Sequence, residues 1–190
     1  MLTTMTPTID QYLRGLRVVL DTLHPEEMDR VIAALREIHR QKKRVFLIGN
    51  GGSAATANHF ACDFGKNAIK DEESKFKIIS LSDNICAITA YGNDEGYENT
   101  FVQQLKNLME PGDMLIAISA SGNSPNIIKA VQYARAKNAF VIGLTGFDGG
   151  RLKALSDINL NVGTNIIEQV EDIHLIILHI IVYTVKHNFN

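Results

Sequence analysis

The chain is poor in the features that would assign it quickly. Its two cysteines, Cys62 and Cys86, stand outside any C-x-x-C spacing, which excludes a disulfide framework and a zinc ribbon. Neither charge sign is in excess: 19 basic residues face 21 acidic ones without a Lys/Arg cluster, which argues against a nucleic-acid partner. No apolar run is long enough to cross a bilayer comfortably. The longest, 173–185, is broken by His174 and His179. The N-terminus, MLTTMTPTIDQYLRGL, has no basic start leading into an apolar stretch, so no signal peptide is expected. Internal repeats and low-complexity linkers are also missing. Neither G-x-G-x-x-G nor G-x-x-x-x-G-K-[ST] occurs, which disfavours nucleotide binding and predicts no nucleotide cofactor. What remains, with 45% apolar and 21% charged residues, has the composition of a folded globular protein and excludes a disordered chain. The expectation is a cytoplasmic protein with no membrane partner.

What is present has two periods. Helical spacing opens the chain over 9–23 and 26–41; the second segment places Met28, Val31, Ile32, Leu35 and Ile38 three and four residues apart behind Pro25. After that come five short runs rich in Val and Ile, at 44–49, 76–81, 113–119, 140–146 and 157–162, with helical stretches such as 126–137 between most of them. Strands alternating with helices predict βαβ units and a parallel sheet covered on both faces, hence α/β. One domain over 1–190 is expected, with a helical extension at 1–42 and an α/β core with a C-terminal helix at 43–190. The last segment, 166–187, is apolar nearly all round from Ile173 onward. Such a helix must be covered on all sides, either by an oligomer interface shared with the N-terminal helices or by a groove in its own chain.

Two strand-to-helix turns carry small polar residues. The first is Gly49-Asn50-Gly51-Gly52-Ser53; the second is Ser119-Ala120-Ser121-Gly122-Asn123-Ser124-Pro125. In parallel α/β sheets ligands bind beyond the C-terminal strand ends, where both turns fall. Glycine lets backbone approach a ligand closely, and a helix N-terminus attracts anions. Each turn can also be read as a tight connection with a serine cap, Ser124 before Pro125 being a good one. One cap needs one serine, however, and the second turn has three, which favours a phosphate cradle. On the helix after the first turn, His59 and Asp63 are spaced i, i+4 and share a face, either a solvated pair or a functional one. On the last helix Glu168, Asp172 and His179 fall near one stripe, with Glu171 on its flank. His174 reads as a packing residue or an intersubunit hydrogen-bonding one. His24, His39 and His187 read as surface residues.

Taken together, NGGSAA…HFACDF (50–64) and SASGNS (119–124) resemble the sugar isomerase (SIS) domain family, most nearly its heptose-phosphate branch. Gly92-Asn93-Asp94-Glu95-Gly96, Leu144-Thr145-Gly146, Asp148-Gly149-Gly150 and Glu171-Asp172-Ile173-His174 with His179 extend the likeness in the same order. The resemblance implies a flavodoxin-like three-layer α/β/α sandwich with a five-stranded parallel sheet, assembled as a homotetramer with sites between subunits. It implies an aldose–ketose isomerase of a sugar phosphate, sedoheptulose 7-phosphate in that branch. By the same resemblance Ser119, Ser121 and Ser124 hold phosphate with Ala120 beside them. Asn50, Gly51, Gly52, Ser53, Asp94 and Glu171 meet the substrate, Asp63 is the base and His179 the acid. A zinc ion is implied at His59, Asp63, Glu171 and His179. The chain departs from the branch in carrying Asp63 for Glu, Glu171 for Gln and Ala120 for Thr. Where the branch has an Arg shortly after its base, this chain has only Lys66 and Lys70. Those departures leave two alternatives, an isomerase of another sugar phosphate and a non-catalytic SIS module.

Overall fold

The five Val- and Ile-rich runs become the strands of one sheet in the computed structural model, which describes residues 6–69 and 75–188. They are β1 (Arg44–Gly49), β2 (Lys77–Ser80), β3 (Met114–Ser119), β4 (Phe140–Gly146) and β5 (Ile158–Val162), all parallel, in the order β2-β1-β3-β4-β5. Among the described residues eight α-helices join and cover them: α1 (Thr6–Asp21), α2 (Pro25–Arg40), α3 (Gly52–Asn67), α4 (Ile85–Glu95), α5 (Thr100–Leu108), α6 (Pro125–Ala136), α7 (Gly150–Leu155) and α8 (Ile167–Asn188). Alternation within the central strands sorts the core into two layers. Val45, Leu47, Ile116 and Leu144 face a cluster that includes residues of α2, α3 and α8. Phe46, Ile48, Leu115 and Val141 face one built on α5, α6 and α7. With both faces covered, the inner strands read as continuous apolar runs, and only the edge strand β5 alternates Ile158, Leu160 and Val162 with the half-buried Asn159 and Asn161.

The C-terminal helix is covered over most of its surface by its own chain. Val170, Ile173, Ile177, Leu178, Ile181 and Val185 are buried in the layer shared with α2 and α3. Only one stripe, with Ile180 and Tyr183, remains exposed. Residues of α1 add Ile9, Leu13 and Val18 to the exposed apolar surface. Among the described residues no helix is long and apolar enough to cross a membrane.

His174 is the one buried histidine of α8, at 1% exposure. Its Nε2 lies 3.1 Å from the Thr145 carbonyl, so that nitrogen carries the proton and donates. Its partner is within the chain, at the end of β4. Burial pushes its pKa down to about 4, against a smaller upward pull from the Thr145 bond. Because the folded value lies below the ordinary 6.5, the stability tied to the neutral ring is fully present above pH 6.5 and is lost as pH falls through 4. We expect that loss to reach about 3 kcal/mol. Urea unfolding from pH 7 to pH 4 should show it in the native chain and much less in His174→Gln; parallel curves would acquit His174. Of the remaining histidines, His24 and His187 are exposed. His39 is half-buried, its ring 4.6 Å from that of Phe76.

Candidate active site

Strands β1 and β3 are neighbours, yet the helices that follow them leave to opposite faces of the sheet, α3 toward α8 and α6 toward α5. A crevice must therefore open between their C-terminal ends, and both glycine- and serine-rich turns meet there. The cleft holds about 170 Å³. Asn50 and Ser53 line it from the first turn, and Ser119, Ala120, Ser121 and Ser124 from the second. Phe147 and Glu171 close it from the β4 end and from α8. Gly51, with φ +52°, makes the first turn, and Gly51 and Gly52 form its exposed rim. Contrary to expectation, Ser124 does not cap α6 with its side chain. Its Oγ lies 3.3 Å from Ser119 Oγ instead, so the hydroxyl is aimed across the cradle. Ser121 Oγ accepts the Asn123 amide at 3.2 Å, which tightens the turn.

Two residues that the sequence did not single out fix the floor. Asn126, 1% exposed, exchanges amide hydrogen bonds with Asn50, 2.9 Å each way. The Tyr97 hydroxyl donates to Asn50 Oδ1 at 3.0 Å. Asn126 stands just after Pro125, and Tyr97 just after the Gly92–Gly96 motif, so both were one step from residues already noticed. Asp94 lies outside the cleft of its own chain, at the end of α4, accepting a bond from Asn93 at 2.7 Å. A wider hollow, about 300 Å³, opens beside the α1–α2 turn between His24, Met28, Leu160 and Ile177. It contains none of the predicted residues; the chemistry converges at the smaller cleft.

Farther along α3 and α8 a second group forms. His59 Nε2 is 2.8 Å from His179 Nε2, so one ring donates and the other accepts. Asp63 Oδ2 is 3.4 Å from His59 and 3.8 Å from His179. Among the described residues these three could hold a metal ion, their ligand atoms lying within 4.8 Å of one another. Two imidazole nitrogens and a carboxylate suit a divalent cation, and three ligands leave a position open for substrate. Glu171 does not join them. It is eight residues before His179, about 12 Å along the helix axis, and its carboxylate lies against Gly52 at the cleft. Asp172 turns to α1, where it accepts the Tyr12 hydroxyl at 2.7 Å; this bond raises the Tyr12 pKa to about 12. Glu168 and Lys66 are exposed, and Lys70 lies outside the described residues.

The chain and its fold have known relatives. A family profile described as the SIS domain matches residues 11–146. The chain is 45% identical over 138 residues to the phosphoheptose isomerase of Helicobacter hepaticus, covering 73% of this chain and 70% of the relative. It is 39% identical over 163 residues to that of Aliarcobacter butzleri, covering 86% and 85%. The solved structure of a phosphoheptose isomerase from Neisseria gonorrhoeae superposes with a TM-score of 0.89 at 28% identity, covering 97% of this chain and all of that one.

Proposed function

We infer the activity from membership: the chain belongs to the SIS-domain family, among its phosphoheptose isomerases. It converts sedoheptulose 7-phosphate to D-glycero-D-manno-heptose 7-phosphate through an enediol, in the cytoplasm, toward the heptose of a lipopolysaccharide or other surface glycan. The observation that carries this reading is the cleft in which Ser119, Ser121 and Ser124 face Asn50 and Ser53 across the switch point.

The three serine hydroxyls donate to the phosphate, helped by the N-terminus of α6. Asn50, held by Asn126 and Tyr97, and Ser53 hydrogen-bond the sugar. Asp63 takes the proton from C1; the C–H electron pair becomes the C1–C2 double bond, and the carbonyl oxygen at C2 takes a proton from His179. The second half reverses this: the O1 proton goes to His179, C1 becomes the carbonyl, and Asp63 returns its proton to C2. His59 orients His179 through the shared Nε2 contact. A zinc ion held by His59, Asp63 and His179 would polarise the sugar oxygens in place of the His179 proton, because a ligating imidazole nitrogen has none to give. A homotetramer would cover the exposed apolar residues of α1 and α8, Ile9, Leu13, Val18, Ile180 and Tyr183.

The test is turnover of sedoheptulose 7-phosphate by the purified protein, before and after chelation and again after zinc is returned. We expect activity to fall with chelator and recover with zinc. Turnover indifferent to chelator would leave His59, Asp63 and His179 with acid–base roles alone. No turnover in either condition would remove the substrate assignment.

A further inference from the structure

We propose that Ser80 and Ser82 are positioning residues for the isomerisation: their hydroxyls tie the Asn50–Ser53 turn, and the face of α3 that bears His59 and Asp63, to one fixed point at the end of β2. The inference rests on the isomerase reading and concerns two residues outside those that line the cleft.

The need for them arises where the sheet runs out. β1 pairs with β2 only as far as Leu47 and Ser80, while on its other side it stays paired with β3 up to Gly49 and Ile118. The Leu81 amide donates to the Leu47 carbonyl at 2.9 Å, so Leu47 turns its backbone groups toward β2. Gly49, two residues on, turns the same way, and β2 has already ended. The Ser82 hydroxyl takes the place of a strand residue: it accepts the Gly49 amide at 3.1 Å and donates to the Gly49 carbonyl at 3.0 Å. One side chain thus satisfies both backbone groups of a buried residue. The turn begins on that residue. The chain folds back over it so closely that a Cβ on Gly49 would lie 2.4 Å from the Ser53 carbonyl oxygen. Fixing Gly49 therefore fixes where Asn50 and Ser53 reach the cleft.

Ser80 carries the same restraint to α3. Its hydroxyl accepts the Ser82 amide at 3.2 Å and donates to Asn58 Oδ1 at 2.5 Å. Asn58 precedes His59 on α3, so this bond sets the roll of the helix about its own axis. With it goes the direction in which His59 and Asp63 point toward His179. The anchor is firm. Ser80 is 4% exposed, and Leu81 between the two serines is 2% exposed, its carbonyl held by Gln104 Nε2 at 3.2 Å. The two hydroxyls end on the turn that presents Asn50 and Ser53 and on the helix that presents His59 and Asp63. The spacing between the sugar contacts and the proton-transfer groups is set from here.

Steady-state kinetics with sedoheptulose 7-phosphate test this on the native chain, Ser82→Ala, Ser80→Ala and Ser82→Thr, with calorimetric binding of inorganic phosphate as the control. Ser82→Ala should raise KM about tenfold with a smaller change in kcat, because Asn50 and Ser53 lose their placement. Ser80→Ala should lower kcat about tenfold with KM nearly unchanged, because the roll of α3 is freed. Ser82→Thr keeps the hydroxyl and should keep KM near the native value. Inorganic phosphate should bind every variant like the native chain, since the hydroxyls of Ser119, Ser121 and Ser124 bond within their own turn. Native kinetics in both alanine variants would overturn the proposal. So would phosphate affinity falling in step with turnover, the mark of a general loosening of the fold. Ser82→Thr behaving as Ser82→Ala would overturn the role of the hydroxyl. A native chain that does not turn over sedoheptulose 7-phosphate would remove the isomerase reading, and this inference with it.

Discussion

Asp63→Asn should lower kcat for sedoheptulose 7-phosphate by about 10²–10⁴, the usual contribution of a positioned proton-transfer group. The fold should be unaffected. Asp63 is partly exposed, and its contacts are with the two exposed histidines, His59 and His179. A substitution there falls among the surface changes that alter stability by about 0.5 kcal/mol or less. Thermal unfolding should therefore be unchanged while turnover collapses. His179→Ala should lose turnover in the same way, and the double variant should lose little more than either single one, since the two act on one proton shift. Asp63→Glu is the informative control: it retains the base and moves it by one methylene. A displacement of about 1 Å in a reacting group can change rate by a hundredfold, so this variant should sit apart from both the native chain and Asp63→Asn. Normal rates in Asp63→Asn and His179→Ala would withdraw both roles.

The sequence made the strands legible because a sheet buried on both faces demands unbroken apolar runs: β1 and β4 fall on the expected 44–49 and 140–146. It did not announce α4, α5 or α7. α4 buries none of its residues, so no apolar stripe marks it; α5 and α7 are nine and six residues long, too short for a period to emerge. In the site the pattern was uneven for a similar reason. His59 and Asp63 are one helical turn apart, and His179 comes from another helix, so pairing them needed the resemblance and then the packing of α3 on α8. Glu171 shows the limit of spacing arguments. Its spacing set it on the flank of the His179 stripe, yet it lies about 12 Å along the helix from His179, with its carboxylate against Gly52 at the cleft. A void left by the glycine that opens α3 is not written in the periodicity of α8. Ser124 errs in the other direction: Ser-Pro before a helix is a capping signal, and the hydroxyl is spent on the cradle.

Gly122→Ala should destabilise the protein by about 3 kcal/mol, from a left-handed residue gaining a Cβ and from that Cβ meeting fixed atoms. Gly122 has φ +63°, and its added Cβ would fall 2.0 Å from the Gly149 carbonyl oxygen and 2.7 Å from the carbonyl carbon. Both are backbone atoms, which cannot swing aside as a side-chain tip could. The serine turn would have to part from the Gly149–Gly150 turn, and the contacts that join them would go with it. These are the Leu152 amide on the Gly122 carbonyl at 2.9 Å and the Arg151 amide on Asn123 Oδ1 at 3.1 Å. Phosphate affinity should then fall by at least about tenfold, since the three hydroxyls lose the registration that lets them act together. Gly51→Ala separates the two causes. Gly51 also has a positive φ, +52°, but nothing lies within 4 Å of its added Cβ. That variant should cost only the conformational part, about 1 kcal/mol. Urea unfolding of both, with phosphate binding for Gly122→Ala, measures the difference. If Gly122→Ala is no less stable than Gly51→Ala and still binds phosphate normally, the cradle does not depend on the contact between the two turns. If the gap between the variants is near 2 kcal/mol, close packing of backbone on backbone is what holds the serines in place.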